Sequence, residues 1–231
     1  MKDVFFKFPS TPHLATLPGV EIRGDKVLSI SERDRFLQNE VTIEEKIDGA
    51  NLGISFDHEG TIRAQNRGSY IELPGSGQWK KLGEWLAPRT DQLFEQLTDR
   101  YILFGEWCYA QHSIFYNRLP DWFLAFDIYD REAEKFLAAI HRDQMLEEMR
   151  ICRVPTIAHG VFSYAEVERL LSKSSLTDQP AEGIYLRVDR GRWLEQRAKL
   201  VRGEFIQAID KHWSSSTIKP NRVSVDNHPL Y

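Results

Sequence analysis

The chain has 231 residues, of which 42% are hydrophobic and 12% aromatic, and its formal net charge is −4. This length suits one large domain or two small ones, and the apolar share supports a buried core. No apolar run is long enough to cross a bilayer, and the N-terminus does not resemble a signal peptide. Cys108 and Cys152 are too few for a disulfide framework or a zinc cluster, so we expect a cytoplasmic protein without a membrane partner.

The first half of the chain contains readable strands and one short helix. Ser31 and Asp34 have the spacing of a capping box and predict a helix that ends at residue 37. Residues 41–46 and 52–56 are rich in β-branched and apolar residues, as strands are, and residues 61–65 predict the second arm of a hairpin.

The second half alternates strands with helices. Strands are predicted at residues 101–109, 122–129, 183–188 and 194–201, the last two forming an antiparallel pair. Helices are predicted at residues 78–96 with a break at Pro88, at 131–149, after the capping box Ser163-x-x-Glu166, and at 203–213. An irregular strap is expected after residue 213. This mixture predicts an α+β fold with antiparallel sheets.

Charge is distributed unevenly along this order of elements. Residues 187–222 contain nine basic and four acidic residues, which gives the segment a net charge of +5 and the rest of the chain −9. A charge run is usually a solvated face, but this one also carries a motif described below. We therefore expect a local surface that faces phosphate groups.

Residues 45–51, Glu-Lys-Ile-Asp-Gly-Ala-Asn, are the first candidate for chemistry. A lysine at the end of an apolar strand is costly unless its amine has a partner or a role. Neighbouring groups could lower the pKa of Lys46 and make it a nucleophile. By itself the pattern fits equally an exposed lysine beside an ordinary Asp-Gly hairpin turn.

Five further segments follow Lys46 in a defined order. They are Gln65-Asn66-Arg67-Gly68, Leu103-Phe104-Gly105-Glu106-Trp107, Phe123-Leu124-Ala125-Phe126-Asp127-Ile128-Tyr129, Ala181-Glu182-Gly183-Ile184-Tyr185-Leu186 and Arg197-Ala198-Lys199-Leu200-Val201-Arg202. The ordered set resembles the motifs of the covalent nucleotidyltransferase superfamily, which contains DNA ligases, RNA ligases and mRNA capping enzymes. The resemblance spans about residues 40–205 and is strongest to ATP-dependent RNA ligases of the RNA ligase 2 type.

The resemblance implies a fold and a domain plan. The fold would be a nucleotidyltransferase (adenylation) domain of antiparallel sheets flanked by helices, an ATP-grasp-like ligase fold. Residues 1–231 would form a single such domain, with a C-terminal helix and irregular tail at 203–231 and no appended OB-fold. The cofactors implied are ATP as the AMP donor and Mg²⁺ or Mn²⁺.

The resemblance also implies three catalytic residues. Lys46 would attack the α-phosphorus of ATP, expel pyrophosphate and become lysyl–AMP, which requires in-line geometry and charge neutralisation. Lys199 would neutralise the α-phosphate and help to keep Lys46 deprotonated. Glu182 would bind the divalent metal, which prefers hard oxygen ligands.

Other residues are expected around the nucleotide. Glu106 would accept hydrogen bonds from the ribose hydroxyls, Phe126 would stack on adenine and Asp127 would support the site. The remaining cofactor-binding candidates are Arg67 at a phosphate, Glu45 near adenine, and Arg197, which stands where the family usually has lysine. Each of these residues, taken alone, also fits an ordinary structural role.

The function implied is joining of 5′-phosphate and 3′-hydroxyl ends of RNA, as in RNA repair. A DNA nick ligase, a GTP-using capping-type enzyme and a non-catalytic nucleic-acid-binding module remain alternatives. Without an appended domain, three outcomes are open: weak catalysis of all three steps, preference for one step, or recruitment of a partner protein such as an end-healing enzyme. Salt-sensitive binding through the segment 187–222 is expected in each case.

Overall fold

The computed structural model describes residues 5–17, 25–171, 174–203 and 218–224. Strands are numbered in chain order as β1 (Val41–Lys46), β2 (Ala50–Phe56), β3 (Ile62–Gln65), β4 (Tyr70–Ile71), β5 (Tyr101–Trp107), β6 (Phe123–Asp130), β7 (Lys135–Phe136), β8 (Thr156–Gly160), β9 (Gly183–Arg190) and β10 (Trp193–Val201). The α-helices are α1 (Ile30–Leu37), α2 (Leu82–Leu86), α3 (Thr90–Leu97), α4 (Ala139–Met149) and α5 (Tyr164–Arg169). In this described part, no helix is both long and apolar enough to cross a membrane.

The strands form two antiparallel sheets. One contains four strands in the order β10-β9-β1-β8, and the other contains six in the order β4-β3-β2-β5-β6-β7. The consecutive strands β1 and β2 therefore belong to different sheets. Residues 47–49, which include the Asp-Gly pair, carry the chain from one sheet to the other and do not form the hairpin turn that their sequence also permits. The predicted α+β class with antiparallel sheets is confirmed.

The strand predictions hold and the helix predictions hold in part. All seven predicted strands are present, and the pairs β2–β3 and β9–β10 are antiparallel as expected. The capping box at α5 is also present. At α1 the prediction was wrong in register, because Ser29 is the N-cap and Glu32 completes the box, two residues before the Ser31–Asp34 pair.

The prediction of a helix at 131–149 is wrong for residues 131–138. Residues 131–134 form a turn instead, because the Asp130 carboxylate accepts hydrogen bonds from the amides of Glu132 and Ala133. Strand β7 then pairs with β6, and the helix α4 begins only at residue 139. The Asp189 carboxylate accepts from the first amide of α4, at 2.7 Å, so a distant residue fixes the start of this helix.

The remaining helix predictions have different outcomes. Residues 78–96 are broken into the helices α2 and α3 by a 3₁₀ turn at Ala87–Arg89, where Pro88 was expected to break them. The helix predicted at 203–213 lies outside the described residues except at its first position. The described tail, residues 218–224, packs irregularly against the segment after β5.

Two buried ion pairs lie between the sheets. Arg142 of α4 binds Glu44 of β1 at 2.6 Å, and Arg187 of β9 binds Asp127 of β6, and all four side chains are fully buried. Both guanidinium groups also donate to the carbonyl oxygen of Phe126, at 2.7 and 3.0 Å. Because a buried charge is stable only when paired and hydrogen-bonded, these contacts fix β1, β6 and β9 relative to one another.

Candidate functional site

A cleft lies between the two sheets. It encloses about 600 Å³ and is open to solvent. Its walls come from both sheets and from the N-terminal segment, and the lining residues are Phe8, Thr11, Glu44, Glu45, Lys46, Ile47, Asn51, Arg67, Glu106, Phe126, Val154, Tyr185 and Lys199. The cleft therefore combines carboxylates, basic groups and aromatic rings, which are the groups that bind a nucleotide.

Lys46 is the last residue of β1, where the chain leaves the first sheet. It pairs across the sheet with Gly183, and its Nζ lies 2.6 Å from Oε2 of Glu182. A side chain at Gly183 would collide with the carbonyl oxygen of Leu200, so this position brings β1, β9 and β10 close together. With 27% of its side-chain surface exposed, Lys46 remains reachable from the cleft.

The charges around Lys46 favour its protonated form. Burial alone would lower the pKa of Lys46, but the carboxylates of Glu182, Glu106 and Asp48 outweigh it and the pKa is raised. The expectation of a lowered pKa is therefore wrong for the chain without a nucleotide. Lys199, which is paired with Asp25, acts on one of these carboxylates, since its charge works against the raised pKa of Glu182.

Glu106 lies across the cleft on β5, opposite Asn51 of β2. Burial, together with the charges of Glu182 and Asp48, raises its pKa to about 8 even though Lys46 acts in the opposite direction. Within the described structure, Oε2 of Glu106 and Oδ1 of Asn51 are buried without a hydrogen-bond partner. Unpartnered buried acceptors beside a cleft are free to receive donors from a ligand.

The segment between Lys46 and β2 is held rigidly. The Asp48 carboxylate accepts from the amides of Ser113 and Ile114, at 2.7 and 2.9 Å, and the Asp48 amide donates to the hydroxyl of Tyr116. A Cβ atom at Gly49 would come within 3.1 Å of the Trp107 carbonyl oxygen, so a larger residue would require the neighbouring strand to shift by a few tenths of an ångström. These contacts fix the position of the backbone that follows the lysine.

Glu45 precedes Lys46 on β1, and it is buried while also lining the cleft. Its Oε2 accepts from the amide and hydroxyl of Ser175, both at 3.2 Å, while Oε1 is buried and has no partner among the described residues. Burial raises the pKa of Glu45, although the bonds from Ser174 and Ser175 act against it.

Phe126 and Asp127 are neighbours on β6 with different surroundings. The Phe126 ring lines the cleft and meets the Phe8 ring edge-on, with centroids 5.3 Å apart. The Asp127 carboxylate is fully buried behind it, bound to Arg187 and near the Tyr185 hydroxyl at 3.5 Å. The structure thus brings Phe126 to the cleft surface and leaves Asp127 in a supporting layer.

Arg67 and Lys199 stand at the cleft from opposite sheets. Arg67 is exposed in the loop after β3. Lys199 lies on β10, and its Nζ is 2.5 Å from Oδ2 of Asp25. His13 is also close to this pair, with Nε2 3.7 Å from the same carboxylate oxygen.

Arg197 lies behind the cleft. Its guanidinium group packs over the rings of Phe8 and Phe136, at 4.8 and 4.6 Å, and lies 3.4 Å from Asp127. It is not among the residues that line the cleft. Arginine suits this place because its planar group stacks on rings, which a lysine does less well.

Most of the site residues that the sequence predicts lie together at the cleft, and two of them lie behind it. The cleft brings together Glu45, Lys46, Arg67, Glu106, Phe126, Glu182 and Lys199. Asp127 and Arg197 lie one layer behind it. The sequence reading missed Asn51 and Asp48, although both follow Lys46 closely, and it missed His13 and Asp25, for which the N-terminal segment has no recognisable pattern.

Comparison with known proteins supports the class that this cleft and these sheets suggest. The family profile described as RNA ligase matches residues 39–201, which is more than half of the chain. The chain therefore belongs to the RNA ligase family. No curated protein is found to match it.

Solved structures of Naegleria gruberi RNA ligase share the fold. A variant solved with ATP and Mn aligns with a TM-score of 0.59 and 15% identity, covering 87% of this chain and 62% of that chain. The same ligase with pyrophosphate aligns with a TM-score of 0.57 and 17% identity, covering 76% and 55%. The chain thus spans less than two thirds of the length of these ligases, and its α+β fold with antiparallel sheets matches the part of them that it covers.

Proposed function

We propose that the chain is an ATP-dependent RNA ligase of the RNA ligase 2 type. It would join 5′-phosphate and 3′-hydroxyl ends through lysyl–AMP on Lys46 and an adenylylated 5′ end. The observation that carries the proposal is the Lys46 amine, 2.6 Å from Glu182 in a cleft that also contains Glu106, Phe126 and Lys199. The Naegleria ligase solved with ATP and Mn supports the choice of ligands for this cleft.

The cleft has a complementary group for each part of the nucleotide. Phe126 offers a ring for adenine to stack on, and the unpartnered oxygen of Glu45 can accept from the adenine amino group. The buried acceptors of Glu106 and Asn51 suit the ribose hydroxyls, which are donors. Arg67 and Lys199 supply charge for the phosphates.

The first step requires Lys46 to lose a proton before it attacks the α-phosphorus. The Nζ–phosphorus bond then forms as the bond to the bridging oxygen breaks, and pyrophosphate leaves with the electron pair. In the next steps a nucleic-acid 5′-phosphate takes AMP from Lys46, and a 3′-hydroxyl displaces the AMP. Positioning and charge neutralisation by Lys199 and Arg67 stabilise the transferred phosphate.

Glu182 fits the role of a divalent-metal ligand. Its carboxylate is mostly buried, borders the cleft and has Lys46 as its bonded partner. Mg²⁺ or Mn²⁺ is commonly held by one or two carboxylates together with substrate phosphates and water, so a single carboxylate suffices. A bound cation would neutralise the charge that now stabilises the Lys46 ammonium group and would withdraw charge from the phosphate.

The decisive experiment is covalent labelling. Incubation with ATP labelled at the α-phosphate and with Mg²⁺ or Mn²⁺ should label the protein, and Lys46→Ala should abolish the label because the nucleophile is gone. Lys81→Ala is the matched control, since Lys81 is also paired with a carboxylate, Glu84, but lies outside the cleft. A wild-type protein that stays unlabelled across metals and pH values would contradict the proposal.

The acceptor is tested separately with nicked duplexes. An RNA ligase should seal a nick whose 3′-hydroxyl strand is RNA and should seal an all-DNA nick more slowly. Unlabelled ATP should compete with the label, whereas competition by GTP alone would indicate a capping-type enzyme. Addition of an end-healing protein that restores 5′-phosphate and 3′-hydroxyl ends tests whether a partner is needed.

A further inference from the structure

The ammonium group of Lys199 is occupied by a carboxylate of the chain itself. Oδ2 of Asp25 lies 2.5 Å from Nζ of Lys199. Backbone bonds bring the two together. Lys199 donates its amide to the carbonyl of Pro12 and accepts from the amide of Leu14, at 2.9 and 2.7 Å, and the His13 amide between them donates to the carbonyl of Lys26, which follows Asp25, at 2.8 Å. The N-terminal segment therefore lies along β10 at the place where β10 borders the cleft.

One further side chain lies beside the Asp25 carboxylate, and a second acts on it through its charge. His13 places Nε2 3.7 Å from Oδ2, and its side chain is only 6% exposed. The His13 Nδ1 is buried without a hydrogen-bond partner among the described residues. Arg67 acts on Asp25 from the other sheet through its charge. Burial alone would raise the pKa of Asp25, but Lys199, His13 and Arg67 together lower it.

These surroundings are those of an oxyanion site. A carboxylate oxygen and a phosphate oxygen seek the same partners, namely ammonium, guanidinium and imidazole groups. Burial and the charge of Lys199 lower the pKa of His13 to about 4, although Asp25 acts against this, so His13 is neutral near neutral pH and can donate a hydrogen bond from one of its two ring nitrogens. One anion can use these groups at a time, since two would repel each other at this distance.

We infer that Asp25 occupies the position of a nucleotide phosphate oxygen. Lys199, His13 and Arg67 form an oxyanion site that a phosphate of the nucleotide fills by displacing the Asp25 carboxylate. This inference rests on the proposed function, because that function supplies the nucleotide. Breaking the Lys199–Asp25 pair costs free energy, and this cost reduces the binding free energy of the nucleotide. The chain therefore binds phosphate more weakly than it would if Lys199 were unpaired.

The alternative is an ion pair that only holds the N-terminal segment in place. The two readings predict opposite effects of Asp25→Asn, which removes the charge and keeps the shape. A structural ion pair predicts weaker phosphate binding, because the segment loosens around Lys199. Displacement predicts tighter binding, because the competitor is gone.

The test is calorimetric titration of the full chain with inorganic pyrophosphate and, separately, with AMP. Asp25→Asn and Asp25→Ser should each bind about fivefold more tightly than wild type, the order expected when one partly exposed ion pair no longer has to be broken. A gain with AMP assigns the site to the α-phosphate, and a gain with pyrophosphate alone assigns it to the leaving group. Asp34→Asn, which removes an exposed charge on α1, should change nothing.

The gain should depend on Lys199. In a Lys199→Met background, Asp25→Asn should no longer increase affinity, since the contested cation is absent. Unchanged or weaker binding by both Asp25 variants, with wild-type thermal unfolding, would overturn the inference. These titrations involve no covalent step, so they are independent of the labelling of Lys46. If the wild-type protein is not labelled but the Asp25 variants bind phosphate more tightly, the ligase proposal is contradicted and the oxyanion site is supported.

Discussion

At the scale of single residues, the cleft contains more carboxylate than a lysine nucleophile requires. Glu106, Glu182 and Asp48 all act on Lys46, and burial raises the pKa of both Glu106 and Glu182. Such a cluster is tolerated because Lys46 neutralises one charge and a proton neutralises another at moderate pH. The site is therefore suited to receive cations and hydrogen-bond donors, which the proposed ATP and its metal would supply.

The ionisation of Glu106 should make the stability of the folded chain depend on pH. Its pKa in the folded chain is about 8, mainly because of burial, and its ordinary value is 4.5. Between these values the unfolded chain releases this proton and the folded chain keeps it, so stability falls as pH rises. We expect the free energy of unfolding of wild type, relative to Glu106→Gln, to fall by up to about 1.4 kcal/mol per pH unit in this range.

Urea denaturation at pH values from about 5 to about 8 checks this expectation. Glu95→Gln is the matched control, because Glu95 is exposed on α3 and its loss should leave the pH dependence of wild type intact. A difference between wild type and Glu106→Gln that does not change with pH would show that Glu106 ionises normally.

At the scale of elements, the tail segment 218–224 supports the loop that holds Asp48. Asn221 is buried, and its side chain accepts from the amide of Tyr116 and donates to the carbonyls of Cys108 and Ala110. The loop between these residues in turn anchors Asp48, as described for the cleft. A residue from the far end of the described chain therefore helps to place the backbone beside Lys46.

Asn221→Ala should lower the free energy of unfolding by about 3 kcal/mol, because buried amide and carbonyl groups lose their partners. The effect should appear in chemical denaturation, and the rate of Lys46 labelling should fall with it. Lys219→Ala in the same segment is the control, since its side chain is exposed and only its backbone carbonyl is used. Equal stability of the two variants would refute this role of Asn221.

At the scale of the whole molecule, a net charge of −4 coexists with a segment of +5 at residues 187–222. RNA binding should therefore depend on this segment and weaken as salt rises. Lys219 and Arg222 are both exposed in the described tail. Replacing both with alanine should reduce the slope of log affinity against log salt by about 1.4 for single-stranded RNA, since each cation contributes about 0.7.

Fluorescence anisotropy with a 5′-phosphorylated RNA at several salt concentrations measures this slope. Lys135→Ala is the control, because Lys135 is exposed on β7 at the edge of the six-stranded sheet, outside the basic segment. An unchanged slope in the double variant would place the RNA on another face.

Much of the fold follows from local sequence, and the site follows only in part. Strand patterns identified β5 and β6 because buried strands are apolar along their length, and they identified β1 from its β-branched and apolar residues. The Arg142–Glu44 pair and the start of α4 at residue 139 depend on partners far away in the chain, which local propensity does not encode. Asp25 and His13 approach Lys199 by the same kind of distant contact.

The path of the chain from β1 to β2 has a mechanical consequence. Lys46 ends β1 and Glu182 directly precedes β9, and both of these strands belong to the four-stranded sheet. Phe126 and Glu106 lie on β6 and β5 of the six-stranded sheet. The two halves of the candidate site thus lie on separate sheets, which are connected by residues 47–49 and by the buried ion pairs of Arg142 and Arg187. Substitutions of the buried residues between the two sheets, remote from any substrate, should therefore alter turnover by changing the orientation of one sheet relative to the other.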